Sequence, residues 1–186
     1  TLFRSKVCVL LAEGFEEIEA LTVSDVMRRA NIKCDLVSIK DKTVKSSHGV
    51  IVEADKIFDE NMDYDLVVLP GGMPGAANLR DDERVISLLK EQNSNNKLIG
   101  AICAAPIVLG RAGLTEGLNM TSYPGFVDEL PNCIYSEEPV VVDKNIITSR
   151  GPATAMMFAY KLLEELGYAK EKEEIASGML YTKYFE

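Results

Sequence analysis

Metal-ligand spacing is missing from this sequence. The chain of 186 residues has four scattered cysteines, Cys8, Cys34, Cys103 and Cys133, and its only histidine is His48. No pair of these residues has the spacing of zinc ligands, which disfavours a zinc site built from them. We therefore expect no metal and no other cofactor, and we expect the thiols to be reduced.

Clusters of positive charge and long apolar runs are missing as well. The net charge is −9 and no basic cluster is present, so a nucleic-acid backbone would be repelled. No apolar run is long enough to span a bilayer, and the first residues, TLFRSKVCVLLAEG, lack the polar cleavage region of a signal peptide. The segments AEGFEEIE and LPGGMPGA do not match the dinucleotide-binding pattern G-x-G-x-x-G. These absences predict a soluble cytoplasmic protein that binds neither nucleic acid nor a membrane.

What is present is the pattern of an α/β domain. Hydrophobic residues make up 47% of the chain and charged residues 26%, so we expect one domain over residues 1–186. Four short apolar segments are typical of buried strands: KVCVLLA, IKCDLVSI, YDLVVLPGG and KLIGAI. Segments with helical spacing, such as EEIEALTVSDVMRRA, alternate with them. This alternation predicts right-handed crossovers and a mostly parallel sheet with helices on both faces.

The segment Ile99–Gly110, IGAICAAPIVLG, places a thiol at the corner between a predicted strand and a predicted helix. Hydrolases hold their nucleophile on such a sharp turn, with a small residue two positions before it and two after it. Ala101 and Ala105 occupy those positions around Cys103, and Pro106 suits the first helical turn. The positive end of the helix dipole beside the sulfur favours the thiolate, so we expect a lowered pKa.

A buried cysteine that acts as a small hydrophobic residue is the alternative for every thiol. It is our interpretation for Cys8 and Cys34, which lie within predicted strands, while Cys133 in the loop LPNCIY is interpreted as a partly exposed bystander. For Cys103 the elbow favours a functional role. His48 lies in a weakly alternating stretch that is typical of a short hairpin, and we interpret it as a surface residue.

A reactive cysteine needs a partner, and glutamates follow the first predicted strand. Glu16 and Glu17 are typical of a first helical turn, where the dipole favours negative charge. Glu19 lies three residues after Glu16, so its side chain can turn towards the strand ends, where ligands bind in such sheets. A carboxyl kept protonated by burial could donate a hydrogen bond to a thiolate or to its oxides.

Two glycines follow the third predicted strand. The N–H groups of Gly71 and Gly72 could face a developing oxyanion, because no side chain blocks them. A plain turn after a strand explains the same pair equally well.

Five segments together resemble the DJ-1/PfpI (ThiJ/PfpI) superfamily, and specifically its DJ-1-like branch: LAEGFEEIEA, DVMRRANIK, DLVVLPGGMPGAANL, LIGAICAAP and ITSRGPATA. They follow the family's order and spacing over nearly the whole chain. The resemblance implies a flavodoxin-like three-layer α/β/α sandwich with a cysteine nucleophile elbow, assembled as a homodimer. It also implies Cys103 as the nucleophile, Glu19 as the partnering acid, and backbone donors at Gly72 and Ala104.

The sequence departs from the family pattern at three positions. Ala104 stands where protease-like and chaperone-like branches carry a histidine, so their Cys-His pair is absent. Tyr123, in TSYPG, stands where DJ-1-like members often have a histidine, and a tyrosine is a poor base near neutral pH. His48 stands where relatives can carry an arginine that reaches the partner's site across the dimer. Further pocket residues implied by the resemblance are Gly71, Tyr123, Pro124, His48 and Arg28.

Three functions follow from this resemblance. The first is an enzyme acting on small aldehydes or dicarbonyls, either a cofactor-independent glyoxalase that converts methylglyoxal to lactate or a deglycase of early glycation adducts. The second is a redox sensor, a protective protein or a holdase that depends on oxidation of Cys103, which needs no proton shuttle. The third, a PfpI-type peptidase or amidase, is disfavoured by Ala104.

Overall fold

A seven-stranded sheet forms the centre of the computed structural model, which describes residues 5–185. The strand order is β10-β11-β7-β6-β1-β2-β5, and all neighbours are parallel except β10 and β11. The strands are β1 (Lys6–Leu11), β2 (Lys33–Ser38), β3 (Thr43–Lys45), β4 (Ile51–Glu53), β5 (Lys56–Ile57), β6 (Leu66–Leu69), β7 (Leu98–Ile102), β8 (Asn119–Met120), β9 (Ile134–Tyr135), β10 (Val140–Asp143) and β11 (Ile146–Ser149).

Helices lie in the connections from β1 to β2, from β6 to β7 and from β7 to β11, and further helices follow β11. They are α1 (Glu17–Arg29), α2 (Gly75–Arg80), α3 (Glu83–Ser94), α4 (Pro106–Ala112), α5 (Ala155–Glu165), α6 (Ala169–Gly178) and α7 (Tyr181–Phe185). Asp82 begins α3 as its N-cap and accepts a hydrogen bond from the backbone N–H of Arg84. The hairpin expected around His48 is formed by β3 and β4, which pair antiparallel.

Two apolar layers cover the two faces of the sheet. On one face Leu79 of α2, Leu89 of α3 and Ile107 of α4 belong to a single buried cluster. On the other face Val23 of α1 and Phe158 of α5 belong to a second cluster. The predicted flavodoxin-like three-layer α/β/α sandwich is confirmed.

Central strands are enclosed on both sides because helices cover both faces. All four residues of β6 and five of the six residues of β1 are buried, which explains why their sequences are continuous apolar runs and not alternating ones. Their carboxyl ends lie beside that of β7, at the middle of the sheet. The segments that follow β1, β6 and β7 therefore meet at one edge.

Four details differ from the sequence pattern or extend it. Helix α2 forms directly after the paired glycines, and a short helix, α7, follows α6. Ile18, which has the spacing of the apolar face of α1, is 53% exposed. A 3-10 turn at Pro152–Thr154 precedes α5, so the proline occupies that turn and not α5 itself.

Among residues 5–185, no helix is long and apolar enough to cross a membrane.

Candidate active site

Cys103 occupies a strained turn between β7 and α4. Its φ angle is 64°, in the left-handed region that residues with a side chain rarely adopt. Two backbone hydrogen bonds hold it there: its N–H donates to the carbonyl of Ser149 over 3.0 Å, and its carbonyl accepts from the N–H of Tyr123 over 2.8 Å. Strain of this kind persists only where the surroundings enforce it, and it is common at functional sites.

The residues around this turn are small because the surrounding backbone leaves no room for larger side chains. Ala101 and Ala105 are completely buried, and Ala104 is 2% exposed. A Cβ atom added to Gly71 would lie 2.6 Å from the Cβ of Cys103, a distance that real Cβ contacts essentially never show. The size pattern in the sequence therefore reflects the crowding of backbone around the thiol.

Backbone donors face the sulfur of Cys103. The N–H groups of Ala104 and Gly72 both bond to the sulfur and act to lower its pKa. Gly72 adopts a φ of 83°, and a Cβ atom there would lie 2.5 Å from the backbone nitrogen of Glu16. Only glycine fits this position, and its conformation aims its N–H at the thiol.

Glu19 lies in the first turns of α1 and is completely buried. Its Oε2 accepts a 2.7 Å hydrogen bond from the N–H of Gly71, and its carboxyl also bonds to the thiol of Cys103. Its Oε1 is buried and has no N–H or O–H partner within the part of the chain that the structure describes. Protonation would change Oε1 from an acceptor that no group donates to into a hydrogen-bond donor. A buried carboxyl oxygen without a donor partner is therefore best accommodated in the protonated form.

Burial raises the pKa of Glu19 from 4.5 to about 7. The N–H of Gly71 and the thiol of Cys103 lower it, and the negative charge of Glu16 raises it further. Glu16 caps α1, with its Oε2 accepting a 2.9 Å hydrogen bond from the N–H of Glu19. The carboxyl of Glu19 therefore changes its charge near neutral pH, as an acid–base catalyst requires.

The expectation of a lowered pKa for Cys103 is wrong when Glu19 is ionised. Burial, and then the negative charge and accepted hydrogen bond of Glu19, raise the pKa of Cys103 to about 12. When Glu19 is protonated its charge is absent and its carboxyl donates, so the contribution of Glu19 reverses. The two groups therefore titrate as a pair, and above the first titration step they hold one proton between them.

Not all of the remaining predicted pocket residues lie beside the turn at Cys103. Tyr123 is 48% exposed and is joined to Cys103 through its backbone, and Pro124 follows it at the surface. Arg28 is not part of this site within the chain: its guanidinium donates to the carbonyl of Cys34, where β2 begins, and pairs with Asp55 over 2.6 Å.

His48 lies in the turn between β3 and β4, at the surface beside the start of α1. Its Nδ1 is 3.1 Å from Oε2 of Glu17 and 3.8 Å from Oε1 of Glu16, and the hydrogen bond to Glu17 raises the pKa of His48. Among the described residues these three side chains are the only group of potential metal ligands, with donor atoms within 4.8 Å of one another. The ion pair accounts for the grouping, so it gives no support to a metal.

One contributor was missed by the sequence analysis. Ser149 fixes the elbow through its carbonyl because β11 pairs with β7, with Ser149 opposite Ile102. The signal was available in the segment ITSRGPATA, since the end of a buried strand there falls at the same edge of the sheet.

Comparison with known proteins gives the same family from sequence and from structure. A model of the DJ-1/PfpI family matches residues 5–165. Protein dj-1beta of Drosophila melanogaster is 41% identical over 177 residues, 92% of this chain and 95% of the relative. Glutathione-independent glyoxalase DJ-1 of Schizosaccharomyces pombe is 36% identical over 180 residues, 90% of this chain and 93% of the relative. The solved structure of oxidized Toxoplasma gondii DJ-1 superimposes with a TM-score of 0.90 at 41% identity, covering 95% of this chain and 98% of that one.

Proposed function

The chain belongs to the DJ-1/PfpI family, and from this premise we propose that it converts methylglyoxal to lactate without glutathione, through Cys103 and Glu19. The observation that carries the proposal is the buried carboxyl of Glu19 in contact with the thiol of Cys103, with Oε1 free of N–H and O–H partners in the described part of the chain. A similar protein is named a glutathione-independent glyoxalase, which supports this choice of substrate.

The first step is attack by the sulfur of Cys103 on the aldehyde carbon of methylglyoxal. The thiol proton passes to the carboxylate of Glu19, a carbon–sulfur bond forms, and the carbonyl π electrons move to oxygen. Glu19 then returns the proton to that oxygen, which gives a neutral hemithioacetal. The N–H groups of Gly72 and Ala104 stabilise negative charge on the reacting atoms.

The second step moves hydrogen between the two carbons. The carboxylate of Glu19 takes the proton from the hemithioacetal carbon, the electron pair forms a carbon–carbon double bond, and the neighbouring carbonyl oxygen becomes the oxyanion of an enediolate. The hydroxyl proton of the hemithioacetal oxygen moves to this oxyanion. Return of the proton to that neighbouring carbon gives a lactoyl thioester on Cys103. Water then attacks the thioester, which releases lactate and the thiol, so the balance is one methylglyoxal and one water consumed for each lactic acid formed.

Lactate formation from methylglyoxal tests this proposal. We expect lactate from the unmodified protein and from Cys133→Ser, a matched control at a thiol outside the elbow. Cys103→Ser and Glu19→Gln should each lower the rate at least 100-fold, because one removes the nucleophile and the other removes the acid–base group. Undiminished lactate formation by either variant would exclude the mechanism.

A second candidate function is redox sensing or protection through oxidation of Cys103. The N–H groups of Ala104 and Gly72 and a protonated Glu19 would donate hydrogen bonds to the oxygens of a sulfinate, which favours that product over further oxidation. Mass spectrometry after peroxide treatment distinguishes this function. Glu19→Gln should still form the sulfinate although it makes no lactate, whereas Glu19→Leu should progress further to the sulfonate.

We also propose that the protein forms a homodimer through α1 and neighbouring loops. Ile18 of α1 is 53% exposed, and Val50 and Ile51 at the β3–β4 hairpin are 43% and 67% exposed. Ile18 follows Glu17, which pairs with His48 of that hairpin, so these apolar side chains lie in adjoining segments. Exposed apolar groups gathered in this way favour burial against a second surface.

A further inference from the structure

The β3–β4 hairpin is attached to the segment that leads into α1. The N–H of Ser47, in the hairpin turn, donates to the carbonyl of Phe15 over 2.8 Å. The next residue of that segment is bound to the thiol site, because the N–H of Glu16 donates to the carbonyl of Gly71 over 2.9 Å. The hairpin turn and the site are therefore joined through two adjacent residues.

His48 follows Ser47 in this turn and brings a titratable ring to the start of α1. Its Nδ1 is 3.1 Å from Oε2 of Glu17 and 3.8 Å from Oε1 of Glu16. The ring of His48 is exposed, whereas the side chain of Glu16 is only 7% exposed. Glu16 contacts both the surface and the site: Oε1 faces the imidazole, and Oε2 accepts a 2.9 Å hydrogen bond from the N–H of Glu19.

Negative charge next to His48 acts on the ring and on Glu19. Burial raises the pKa of Glu19, and the charge of Glu16 raises it further. The hydrogen bond and charge of Glu17, and then the charge of Glu16, raise the pKa of His48 above 6.5. A protonated imidazole is therefore a positive charge beside the carboxylate that opposes ionisation of Glu19. Two further charged residues belong to the segments that meet here: Glu13 and Lys45.

We propose that His48 is a positioning residue for the Cys103 site, and that its protonated ring favours the carboxylate form of Glu19 by offsetting the negative charge of Glu16. The glyoxalase mechanism needs this form, because the carboxylate accepts the thiol proton in the first step, so the catalytic benefit rests on the proposed function. The electrostatic effect itself requires no turnover.

The charge of His48 changes in the same pH range as that of Glu19. As the pH rises, His48 loses its proton, and this loss makes removal of the proton from Glu19 less favourable. The titration of the Glu19–Cys103 pair should therefore extend over a wider pH range than the titration of a single group. With a permanent positive charge in place of His48, the titration should be steeper.

Labelling of Cys103 as a function of pH measures this coupling without any catalytic step. Iodoacetamide rates are determined by peptide mass spectrometry from pH 5 to pH 9 at low ionic strength, with Cys133 as the reference thiol. His48→Gln should raise the midpoint of the Cys103 curve by about 0.4 pH unit, the effect of one charge about 8 Å away in water. His48→Arg keeps a positive charge at every pH and should give a steeper curve with a midpoint below that of the unmodified protein.

Two further variants and added salt make the test specific. Glu16→Gln should lower the midpoint, because an amide oxygen can still accept from the N–H of Glu19 but carries no charge. Lys170→Gln is the matched control, since it removes one positive charge from α6, where Lys170 pairs with Glu174, and its midpoint should equal that of the unmodified protein. In about 1 M NaCl the Debye length is about 3 Å, so the shift caused by His48→Gln should disappear.

Three outcomes would overturn the inference. These are an unchanged midpoint in His48→Gln, equal midpoints in His48→Gln and His48→Arg, and a changed mass of His48→Gln in light scattering, which would make the ring a contact between copies of the chain. The result is separable from the proposed function. A shifted midpoint without lactate formation refutes only the glyoxalase proposal, whereas lactate formation with an unshifted midpoint refutes only the role of His48.

Discussion

Gly71 and Cys103 are in contact so close that a Cβ atom on Gly71 would lie 2.6 Å from the Cβ of Cys103. The same atom would lie 2.8 Å from Oε2 of Glu19 and 3.0 Å from the backbone nitrogen of Ala104. All three neighbours belong to the site, and Oε2 of Glu19, the one side-chain terminus among them, is held by the N–H of Gly71. The backbone of Gly71 therefore acts as a spacer that brings the acid and the thiol together.

Gly71→Ala is expected to destabilise the protein and disable the site. Overpacking of this kind costs about 1–3 kcal/mol, and the displaced elbow should label with iodoacetamide at least tenfold more slowly at Cys103. Denaturant unfolding and peptide mapping measure the two effects. Gly178→Ala is the matched control, because its added Cβ would have no atom of the described residues within 4 Å apart from its own helix, and its unfolding midpoint should be unchanged or slightly raised.

The charge state of Glu19 should make stability depend on pH. Its pKa is raised from 4.5 to about 7 in the folded protein, so the folded state binds more protons than the unfolded state between these values. The stabilising contribution is therefore complete below pH 4.5 and is lost as the pH rises through 7, by up to about 3 kcal/mol. Glu19→Gln should gain stability relative to the unmodified protein between pH 5 and pH 8.

Urea unfolding at both pH values measures this difference. Glu91→Gln, at an exposed position of α3, is the control and should follow the unmodified protein at both pH values. An equal free-energy difference between Glu19→Gln and the unmodified protein at pH 5 and pH 8 would show that Glu19 does not change its charge in this range.

Labelling of Cys103 should follow the titration of the Glu19–Cys103 pair. Loss of the first proton, with a midpoint near pH 7, creates the state in which Glu19 can hold the remaining proton while the sulfur is a thiolate. The labelling rate of Cys103 should therefore rise through pH 7 and level off. Burial raises the pKa of Cys133 above 9.0, so its labelling should increase only at alkaline pH. Iodoacetamide rates from pH 5 to pH 9 test both curves, and parallel curves for the two thiols would contradict a coupled pair.

The proposed homodimer predicts a mass of twice the 20.5 kDa chain in light scattering at micromolar concentration. Ile18→Glu should lower the mass towards that of one chain, because a charge replaces an exposed apolar side chain of α1. Val142→Glu, on β10 at the opposite edge of the sheet from β5, is the control and should leave the mass unchanged. A monomer mass for the unmodified protein would refute the proposal directly.

The sequence alone determined the layered architecture and the elbow. Apolar runs such as YDLVVLPGG, alternating with helical spacing, led to a parallel sheet covered on both faces, because side-chain periodicity is a local property that burial imposes on each segment. Ala101 and Ala105 located the sharp turn at Cys103, because steric exclusion around a turn acts over only a few residues.

Only the tertiary structure decided how the proton is distributed between Glu19 and Cys103 and which neighbouring strand holds the elbow. The pKa of Cys103 depends on its burial and on the charge of Glu19, which is distant in sequence, and the local argument from the helix dipole gave the wrong direction. The pairing of β11 with β7 brings the carbonyl of Ser149 to the elbow, whereas Arg28 is held at the start of β2 by the carbonyl of Cys34 and by Asp55. Desolvation and strand register are set by contacts between distant segments, so no pattern within one segment contains them.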